Sequence, residues 1–404
     1  MYIDLKRQKL YNQSNKILGK DEKSLLIIYN IEVFNLSNTP FDLKKICDMF
    51  SRDGKFTGYK KINNGHVNST FTLFFEEDGK VAKYVLQKVN TEAFKNPDGL
   101  MSNIVAVTSH IRKKNEEMNI PWADRGTLNF LPAKDGKYFF IDDNNNCWRM
   151  YHYVDNVYTY NSVDDEQVFC NAGVAFGDFQ NILADFDGST LYETIEKFHN
   201  TASRFENLKK AIEENRAGRL DTVKDEIKFA LEREADTHIL VDLIEEGKLP
   251  LRVTHNDTKL NNILFDKVTN KGICIIDLDT VMPGLSLYDF GDSIRFGANT
   301  AAEDEKDLSK VTLNIPLYEA FVKGYLSSAK DALTDLEKEL LPFGAKIMTY
   351  ECGIRFLTDY LNGDIYFHIN YPEHNLDRCR TQFKLVAEME TKMDKMKEIA
   401  KKYY

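Results

Sequence analysis

Three polar residues near the middle of the chain have the types and the spacing of a phosphoryl-transfer site. The segment His255–Asn262 reads HNDTKLNN, in which Asp257 is followed five residues later by Asn262. This is the spacing of the HxDxxxxN catalytic loop of kinases. A short apolar run then ends on Asp277 and Asp279. The combination predicts transfer of a phosphoryl group from ATP with the help of a divalent cation.

A predicted hairpin brings two of these residues together. Two apolar runs, Ile263–Phe265 and Ile273–Ile276, flank the turn signal TNKG at 269–272, and such a pattern predicts an antiparallel pair of strands. In that register Asn262 lies opposite the end of the strand that leads to Asp277. Because Mg²⁺ takes hard oxygen ligands, commonly one or two from the protein, these two residues are the predicted metal ligands.

Asp257 and His255 receive different roles. Asp257 stands just beyond a predicted strand, where a carboxylate can accept the proton of an acceptor hydroxyl and orient it for in-line attack. It is the predicted general base. His255 is predicted to brace the loop through hydrogen bonds. A polar turn without catalytic function is the alternative for each residue alone, but the joint pattern favours catalysis.

The elements around this segment predict an α+β fold with two lobes. Residues 1–152 are assigned to a β-rich, nucleotide-binding lobe with one helix at Pro97–Glu117, where apolar residues recur at helical spacing. The sequence EDGK at 77–80 predicts a hairpin turn. The predicted strands of this lobe are Phe56–Ile62, Ser69–Phe75, Val81–Val89 and Tyr138–Ile141.

Residues 153–404 are assigned to a mainly helical lobe that holds the catalytic loop and the substrate. A tyrosine-rich strip, Trp148–Tyr160, joins the two lobes, and its first part, Trp148–Tyr153, is expected to pass behind adenine. Apolar periodicity predicts the helices of this lobe. They are 165–184, 191–215, 220–246, 317–325, 336–359 and 378–404.

Composition and charge restrict the class of protein. The 404 residues include 53 basic and 63 acidic side chains, a net charge of −10, and no basic stripe that would bind nucleic acid. Six scattered cysteines without a CxxC pair argue against disulfides and a zinc site. No signal peptide or membrane-spanning run is visible. We therefore expect a cytoplasmic enzyme without nucleic-acid or membrane partners, and its oligomeric state stays open.

With these motifs in place, the sequence resembles the superfamily of aminoglycoside phosphotransferases and protein kinases, in which HxDxxxxN is followed by IDxD. That resemblance implies a protein-kinase-like fold, ATP as co-substrate and Mg²⁺ as the metal. Longer blocks are similar to the N-acetylhexosamine 1-kinases of this superfamily. They are GHVN at 65–68, LQKVNTE at 86–92, THNDTK at 254–259, IDLDTVMPG at 276–284, RFLTDY at 355–360 and DIYF at 364–367.

The narrower resemblance implies a substrate and its ligands. It implies phosphorylation of the anomeric hydroxyl of N-acetylglucosamine or N-acetylgalactosamine. By family position, the sugar would contact Asp257, His66, Phe296, Arg355 and Tyr366. Aromatic and arginine side chains suit the faces and hydroxyls of a sugar, although spacing alone does not select the last four.

Two residues of the first lobe are candidates for binding the nucleotide phosphates. Gly65 lies in a loop between two predicted strands, where backbone N–H groups can face a triphosphate. Lys88 stands on the third predicted strand, the place of the phosphate-binding lysine in kinase-like sheets. An ordinary hairpin turn and a solvent-facing lysine are the plain alternatives. The glutamate partner of Lys88 stays open among Glu92, Glu116 and Glu117.

Other polar residues receive structural roles. Glu193, Glu196 and His199 stand at helical spacing, but a helix face or a lobe interface is favoured over a metal site. Asp289 and Asp292 are expected to fix the chain that follows the metal loop.

Three rival functions stay open. A kinase of the same superfamily could act on another alcohol, such as an aminoglycoside, choline or homoserine. A non-catalytic pseudokinase would lack Asp257, Asn262 or Asp277, and all three are present. A metal-dependent hydrolase built on His255 needs more histidine ligands than the eight scattered ones supply.

Overall fold

The computed structural model describes residues 39–62 and 68–404. Their contacts divide the chain into two units. The first contains the described residues up to Pro97 together with Asn129–Tyr153, and the second contains Asp98–Leu128 together with Val154–Tyr404. Each unit has its own elements and its own core.

The first unit is built on a five-stranded sheet in the order β1-β2-β3-β5-β4, with all neighbours antiparallel. Its strands are rich in β-branched and aromatic residues, which pack well on a pleated surface. Phe71, Leu86 and Trp148 belong to the core of this unit. The four predicted strands are confirmed within two residues at each end. The elements are α1 Leu43–Cys47, β1 Lys55–Ile62, β2 Ser69–Glu77, β3 Lys80–Val89, β4 Phe140–Ile141 and β5 Cys147–His152.

The turn between β2 and β3 confirms the predicted hairpin at 77–80. Glu77 pairs with Lys80, and the two residues between them, Asp78 and Gly79, have φ angles of 48° and 74°. Positive φ at both central positions is the mark of a type I′ turn, for which Asp-Gly is a favoured sequence. The register that follows places Lys88 opposite Ser69.

The tyrosine-rich strip differs from its prediction. Most of the expected linker Trp148–Tyr153 is strand β5, which pairs with both β3 and β4. Its backbone is engaged further by Leu131 N, which donates to Met150 O at 2.9 Å. The Trp148 side chain is fully buried. Burial of these large side chains explains why the segment joins the sheet, since an exposed linker would leave them in water.

Helix α2, Pro97–Glu117, has the predicted bounds. From Asp98 onward it belongs to the second unit, because its buried polar groups are bonded there. Asn103 Nδ2 donates to the backbone oxygens of Tyr192 and Val281 at 2.7 and 3.0 Å. The sequence-based division after residue 152 places this helix with the sheet, whereas its contacts place it with the helices.

The second unit is mainly helical, with a two-stranded and a three-stranded sheet. Helices α8 and α9 extend the predicted ones by up to four residues at each end, and α10 begins four residues earlier and ends three residues earlier than predicted. The elements after α2 are β6 Val157–Tyr158, α3 Glu166–Ile182, α4 Thr201–Glu214, α5 Lys224–Leu231, α6 Asp236–Glu245, β7 Arg252–Thr254, β8 Ile263–Asp266, β9 Gly272–Ile275, β10 Met282–Gly284, α7 Ser286–Gly297, α8 Ile315–Ala329, α9 Asp335–Asn362 and α10 His374–Lys401.

Four helices of this unit depart from prediction. Helix α4 begins only at Thr201, because Asn200 caps it by accepting Ser203 N at 2.8 Å. The charged stretch predicted as one helix over 220–246 forms two, α5 and α6. Helix α7 was not predicted. It is buried on nearly every side, and a helix surrounded by protein shows no amphipathic period.

None of the helices in residues 39–62 and 68–404 is long and apolar enough to cross a membrane. All six cysteines lie in these segments and are free thiols, as their scattered positions predict. Burial raises the pKa of the Cys47 and Cys274 thiols to about 12, so these two stay protonated at neutral pH.

Candidate active site

The catalytic loop, His255–Asn262, begins where β7 ends. Its tight start depends on Gly284 of the paired strand β10, since a Cβ there would lie 2.4 Å from Thr254 Oγ1 and 3.0 Å from Asn256 Oδ1. Asn256 has a φ of 64°, in the left-handed region that asparagine tolerates. Its side chain donates to Thr280 O at 2.9 Å, which fixes the turn before Asp257.

The hairpin predicted beyond the loop is confirmed. Strands β8 and β9 pair with Ile263 opposite Ile275. Ile276 N donates to Asn262 O at 2.9 Å, so Asn262 and the residue that follows Ile276, Asp277, lie at the same end of the ladder. Asp277 has a φ of 60°, which turns the chain directly out of the hairpin. The register therefore brings the two predicted metal ligands together.

Asp257 carries the reactive carboxylate of the loop. Lys259 Nζ lies 2.7 Å from Asp257 Oδ1, and the Asp257 side chain is 29% exposed, which leaves it accessible to a substrate. Burial acts to raise the pKa of Asp257, but the Lys259 ammonium, together with His255 and Arg295, holds this pKa below its usual range. The group is therefore an anion at neutral pH.

The donor set at this end of the hairpin fits Mg²⁺. Asn262 Nδ2 donates to Asp257 O at 2.8 Å and to Asp257 Oδ2 at 3.3 Å, so the amide oxygen is the atom of Asn262 that suits a cation. Asp277 adds a carboxylate. The described segments contain no group of three or more His, Cys, Asp or Glu residues suited to a metal. A cation shared with nucleotide phosphates needs only one or two protein ligands.

His255 braces the loop, as predicted. The ring is fully buried, with Nε2 2.9 Å from Ile276 O, and Asp257 N donates to Nδ1 at 3.2 Å. A carbonyl on one side and an N–H on the other are satisfied by a neutral ring that carries its proton on Nε2. The histidine thus joins the loop to the hairpin.

Asp289, on α7, has a different role from the one assigned to it from the sequence. It was expected to fix the chain after the metal loop, but it holds the catalytic loop that precedes the hairpin. Asp289 Oδ2 accepts His255 N at 2.9 Å and Oδ1 accepts Asn256 N at 2.7 Å. Burial raises the pKa of this carboxyl. The role of Asp289 was misassigned because helix α7 was not predicted, and the buried face of this helix packs on the catalytic loop.

His199 reaches the same loop from the segment before α4. Its Nε2 lies 3.1 Å from Asn256 O, and its Nδ1 lies 2.7 Å from Glu351 Oε1 on α9. Glu351 Oε2 accepts Thr201 Oγ1 at 2.7 Å. His199 lies just before α4 rather than on a helix face, and its contacts connect α9 to the residue before Asp257.

One turn beyond Glu351 on α9, Arg355 lines a cavity of about 330 Å³, here called the arginine cavity. This volume lies within the range of small-molecule sites. Tyr366, in the segment after α9, also lines the cavity and is 66% exposed. The charged residues of the lining are Arg204, Lys210, Glu214, Arg216, Arg355 and Asp359.

The structure brings together two of the four residues that the resemblance assigns to the sugar. The Arg355 guanidinium lies 5.9 Å from the centre of the Tyr366 ring. Asp359 accepts the backbone N–H groups of residues 365 to 367 at 2.8–2.9 Å, which positions Tyr366. Phe296 lies half-buried on α7 and is not part of the cavity lining. His66 lies outside the described residues.

In the first unit, Lys88 occupies β3 as predicted, and its Nζ donates to Asn146 Oδ1 at 3.0 Å. The ammonium also lies 5.3 Å from the centre of the Phe41 ring. Among the described residues, the polar partner of Lys88 is thus an amide of the turn before β5, and none of Glu92, Glu116 and Glu117 pairs with it. Gly65, the other residue predicted to bind phosphate, lies outside the described residues.

Four residues that contribute to this site had no correct role from sequence reasoning. The position of Lys259, two residues after the predicted base, was a usable signal. The carboxylate of Asp289 within an apolar stretch, LYDFGDSIRF, was another. No local sequence pattern links His199 to Asn256, 57 residues later, or Arg204 to Arg355, 151 residues later.

The fold and the loop together define a kinase-like phosphotransferase. The sequence pattern of the phosphotransferase enzyme family (APH) matches residues 60–333, and the chain belongs to this family. The matched range contains Asp257, Asn262 and Asp277 and ends before Arg355 and Tyr366.

Solved structures of similar fold cover most of the chain. A microcompartment-associated aminopropanol kinase has a TM-score of 0.52 at 14% identity, over 88% of this chain and 97% of that chain. An ethanolamine kinase of Plasmodium vivax has a TM-score of 0.52 at 13% identity, over 90% and 95%. An aminoglycoside phosphotransferase from Alicyclobacillus acidocaldarius has a TM-score of 0.55 at 9% identity, over 91% and 98%. The likeness shows the α+β, kinase-like fold.

Proposed function

We propose that this protein transfers the γ-phosphoryl group of ATP to the anomeric hydroxyl of an N-acetylhexosamine and forms the sugar 1-phosphate. The connection between the catalytic loop and the arginine cavity carries the proposal. His199 contacts the residue before Asp257, and its partner Glu351 lies one helical turn before Arg355. An acceptor held by Arg355 and Tyr366 is then bound by the same network that positions the base.

The carboxylate of Asp257 orients the anomeric hydroxyl and takes its proton as the sugar oxygen attacks the γ-phosphorus. The bond from that phosphorus to the bridging oxygen breaks, and ADP leaves with the electron pair. A carboxylate of low pKa is a weak base, which suits a loose transition state in which positioning matters most. The Lys259 ammonium supplies positive charge beside the Asp257 carboxylate that would orient this hydroxyl.

Asn262 and Asp277 would hold Mg²⁺, the cation expected with ATP. When bound, Mg²⁺ neutralises charge on the β- and γ-phosphates. Lys88 and the backbone at Gly65 are the proposed protein contacts of these phosphates, and Phe296 and His66 remain proposed sugar contacts. A cytoplasmic setting suits this activity, since six free thiols stay reduced there.

The charge of the arginine cavity favours a neutral or anionic acceptor. Ethanolamine, aminopropanol and the aminoglycosides named for the similar structures are cations at neutral pH. Four cationic and two acidic side chains line the cavity, so a cation would be repelled. Acetylation removes the charge of an amino sugar, and its oxygens accept hydrogen bonds from guanidinium groups. The exposed Tyr366 ring offers a face to the sugar.

An acceptor panel tests the proposal. ADP release is measured with Mg-ATP and, in turn, N-acetylglucosamine, N-acetylgalactosamine, choline, homoserine and an aminoglycoside, with Asp257→Asn as the inactive control. The proposal expects turnover with an N-acetylhexosamine. Turnover with choline or an aminoglycoside and none with the acetylated sugars would replace it by another kinase activity. Binding of Mg-ATP without turnover of any acceptor would indicate a pseudokinase.

A further inference from the structure

Arg204 and Arg355 both line the arginine cavity, where they contribute two positive charges. Arg204, on α4, donates from Nε and Nη2 to Phe198 O at 3.0 and 2.8 Å. The Arg204 and Arg355 guanidinium groups lie 5.8 and 5.3 Å from the centre of the Phe198 ring. Across the described residues, neither arginine forms an ion pair with an aspartate or a glutamate.

The acidic groups near this pair are engaged elsewhere. Both oxygens of Glu351 accept hydrogen bonds from His199 and Thr201. The carboxylate of Asp359 holds backbone N–H groups of the segment that contains Tyr366. Glu214 pairs with Arg216 at 2.7 Å. Glu351 also acts on both arginines through its charge, but the lining of the cavity, with four cationic and two acidic side chains, keeps a net positive charge.

Burial acts to lower the pKa of Arg355, but Tyr366, Glu351 and Cys352 raise it overall. Burial and the nearby Arg355 lower the pKa of Arg204, as expected for like charges in a partly desolvated place. Two guanidinium groups that repel each other are stabilised by an anion that bonds to both. Carboxylates and phosphates are the groups whose geometry matches the planar guanidinium fork.

We propose that the arginine cavity binds an anionic substituent of the acceptor, a carboxylate or a phosphate ester placed away from the hydroxyl that reacts. The proposal rests on the proposed function and deepens it. The preferred acceptor becomes an acidic hexosamine derivative, held at its anion by Arg204 and Arg355 and at its anomeric hydroxyl by Asp257. Arg204 acts as the residue that selects the charge of the acceptor.

The test compares three acceptors that differ in one substituent. The values of kcat/KM are measured for N-acetylglucosamine, its 6-phosphate and its 6-carboxylate. Arg204→Gln removes the charge, while Arg204→Lys keeps the charge but loses the double hydrogen bond to Phe198 O. Lys209→Gln is the control, since Lys209 lies on the same helix but pairs outside the cavity with Glu206 and Glu234.

Support requires that wild type prefer an anionic acceptor and that Arg204→Gln lower the ratio of anionic to neutral kcat/KM by about tenfold or more. Arg204→Lys should retain most of that ratio, and Lys209→Gln should leave it unchanged. Equal losses for neutral and anionic acceptors in both Arg204 variants would mean that Arg204 only supports Phe198. That result, or a wild-type preference for the neutral sugar, would overturn the proposal.

Binding measurements separate this proposal from the proposed reaction. Calorimetry with the 6-phosphate sugar, the 6-carboxylate sugar and inorganic phosphate is performed on wild type and Arg204→Gln. Charge-dependent binding of the acidic sugars supports the anion site even if no sugar is phosphorylated at carbon 1. Binding of inorganic phosphate alone would make the cavity a site for a free anion, and the acceptor proposal would fail.

Discussion

The catalytic loop of the second unit and the Lys88 region of the first differ in how their polar groups are held. In the loop, His255 has partners on both ring nitrogens, and Asp289 accepts two consecutive backbone N–H groups. Lys88 is half-buried, and within residues 39–62 and 68–404 its polar contact is one amide, from Asn146. The loop is preorganised by the protein, whereas a lysine held by one neutral amide can exchange that contact for a phosphate.

This contrast predicts where substitutions act. In the loop, one change disturbs several groups that hold one another, because buried polar networks are costly to leave half-satisfied. At Lys88, a change removes the hydrogen bond to Asn146 and the contact with the Phe41 ring, and it leaves the sheet intact.

Asp257→Asn should have the largest effect. It keeps the shape of the side chain but removes the group that takes the proton, so kcat should fall by about 10³-fold or more. The Kd for Mg-ATP should stay within a few-fold. Single-turnover kinetics and calorimetry measure the two quantities, with the exposed surface variant Asp335→Asn as the control. A mutant with near-normal kcat would remove Asp257 from the mechanism.

Asp289→Ala should lower the free energy of unfolding by about 3 kcal/mol, since two buried N–H groups lose their acceptor. Lys88→Ala should lower it by less than about 1 kcal/mol. Chemical denaturation measures both. Equal effects of the two substitutions would contradict the contrast between the loop and the strand.

His199→Phe should reduce kcat/KM for the acceptor by about tenfold, because it removes the contacts to Asn256 O and Glu351. The KM for ATP should not change. Steady-state kinetics with each substrate varied in turn provide the measurement. His238→Phe, at a half-exposed position on α6, is the control. An equal rise in both KM values would indicate general damage rather than a link between the cavity and the loop.

Lys259→Met should shift the pH dependence of kcat. Lys259 holds the pKa of Asp257 below its usual value of 3.8, so the wild-type rate should not fall from protonation of Asp257 as the pH drops to about 5. Without the ammonium, burial raises the pKa and the acid limb moves to higher pH. Lys259→Arg keeps the charge and should keep the wild-type profile. If kcat falls at the same acidic pH in the Met and Arg variants, Lys259 does not control the ionisation of Asp257.

Lys88→Ala should have the smallest effect, a rise of a few-fold in the KM for ATP with kcat little changed. This outcome supports phosphate binding by Lys88. An unchanged KM combined with a lower melting temperature would assign Lys88 to structure, through its bond to Asn146.

The sequence predicted the parts of this site that depend on local pattern. The hairpin around 269–272 and the meeting of Asn262 with Asp277 followed from alternation and a turn signal, and both are confirmed. The tertiary supports could not be predicted. Helix α7 lacks an amphipathic period because it is buried, so the role of Asp289 was misassigned.

Long-range contacts and large aromatic residues account for the remaining differences. His199 meets the loop only through folding of the helical unit, and no nearby pattern reports that contact. Trp148 reads as part of a linker because tyrosines follow it, yet its burial places it in β5. The acceptor site could not be predicted from a local sequence pattern, because Arg204 and Arg355 lie on different helices.

The central claim is phosphorylation at the anomeric position, and phosphorus NMR of the product tests it most directly. The protein is incubated with Mg-ATP and N-acetylglucosamine or N-acetylgalactosamine, and the coupling of the new phosphate to the sugar protons is recorded. The proposed function predicts a phosphate coupled to the proton on carbon 1. A phosphate coupled to the protons on carbon 6, or no sugar phosphate while another alcohol is phosphorylated, would contradict it.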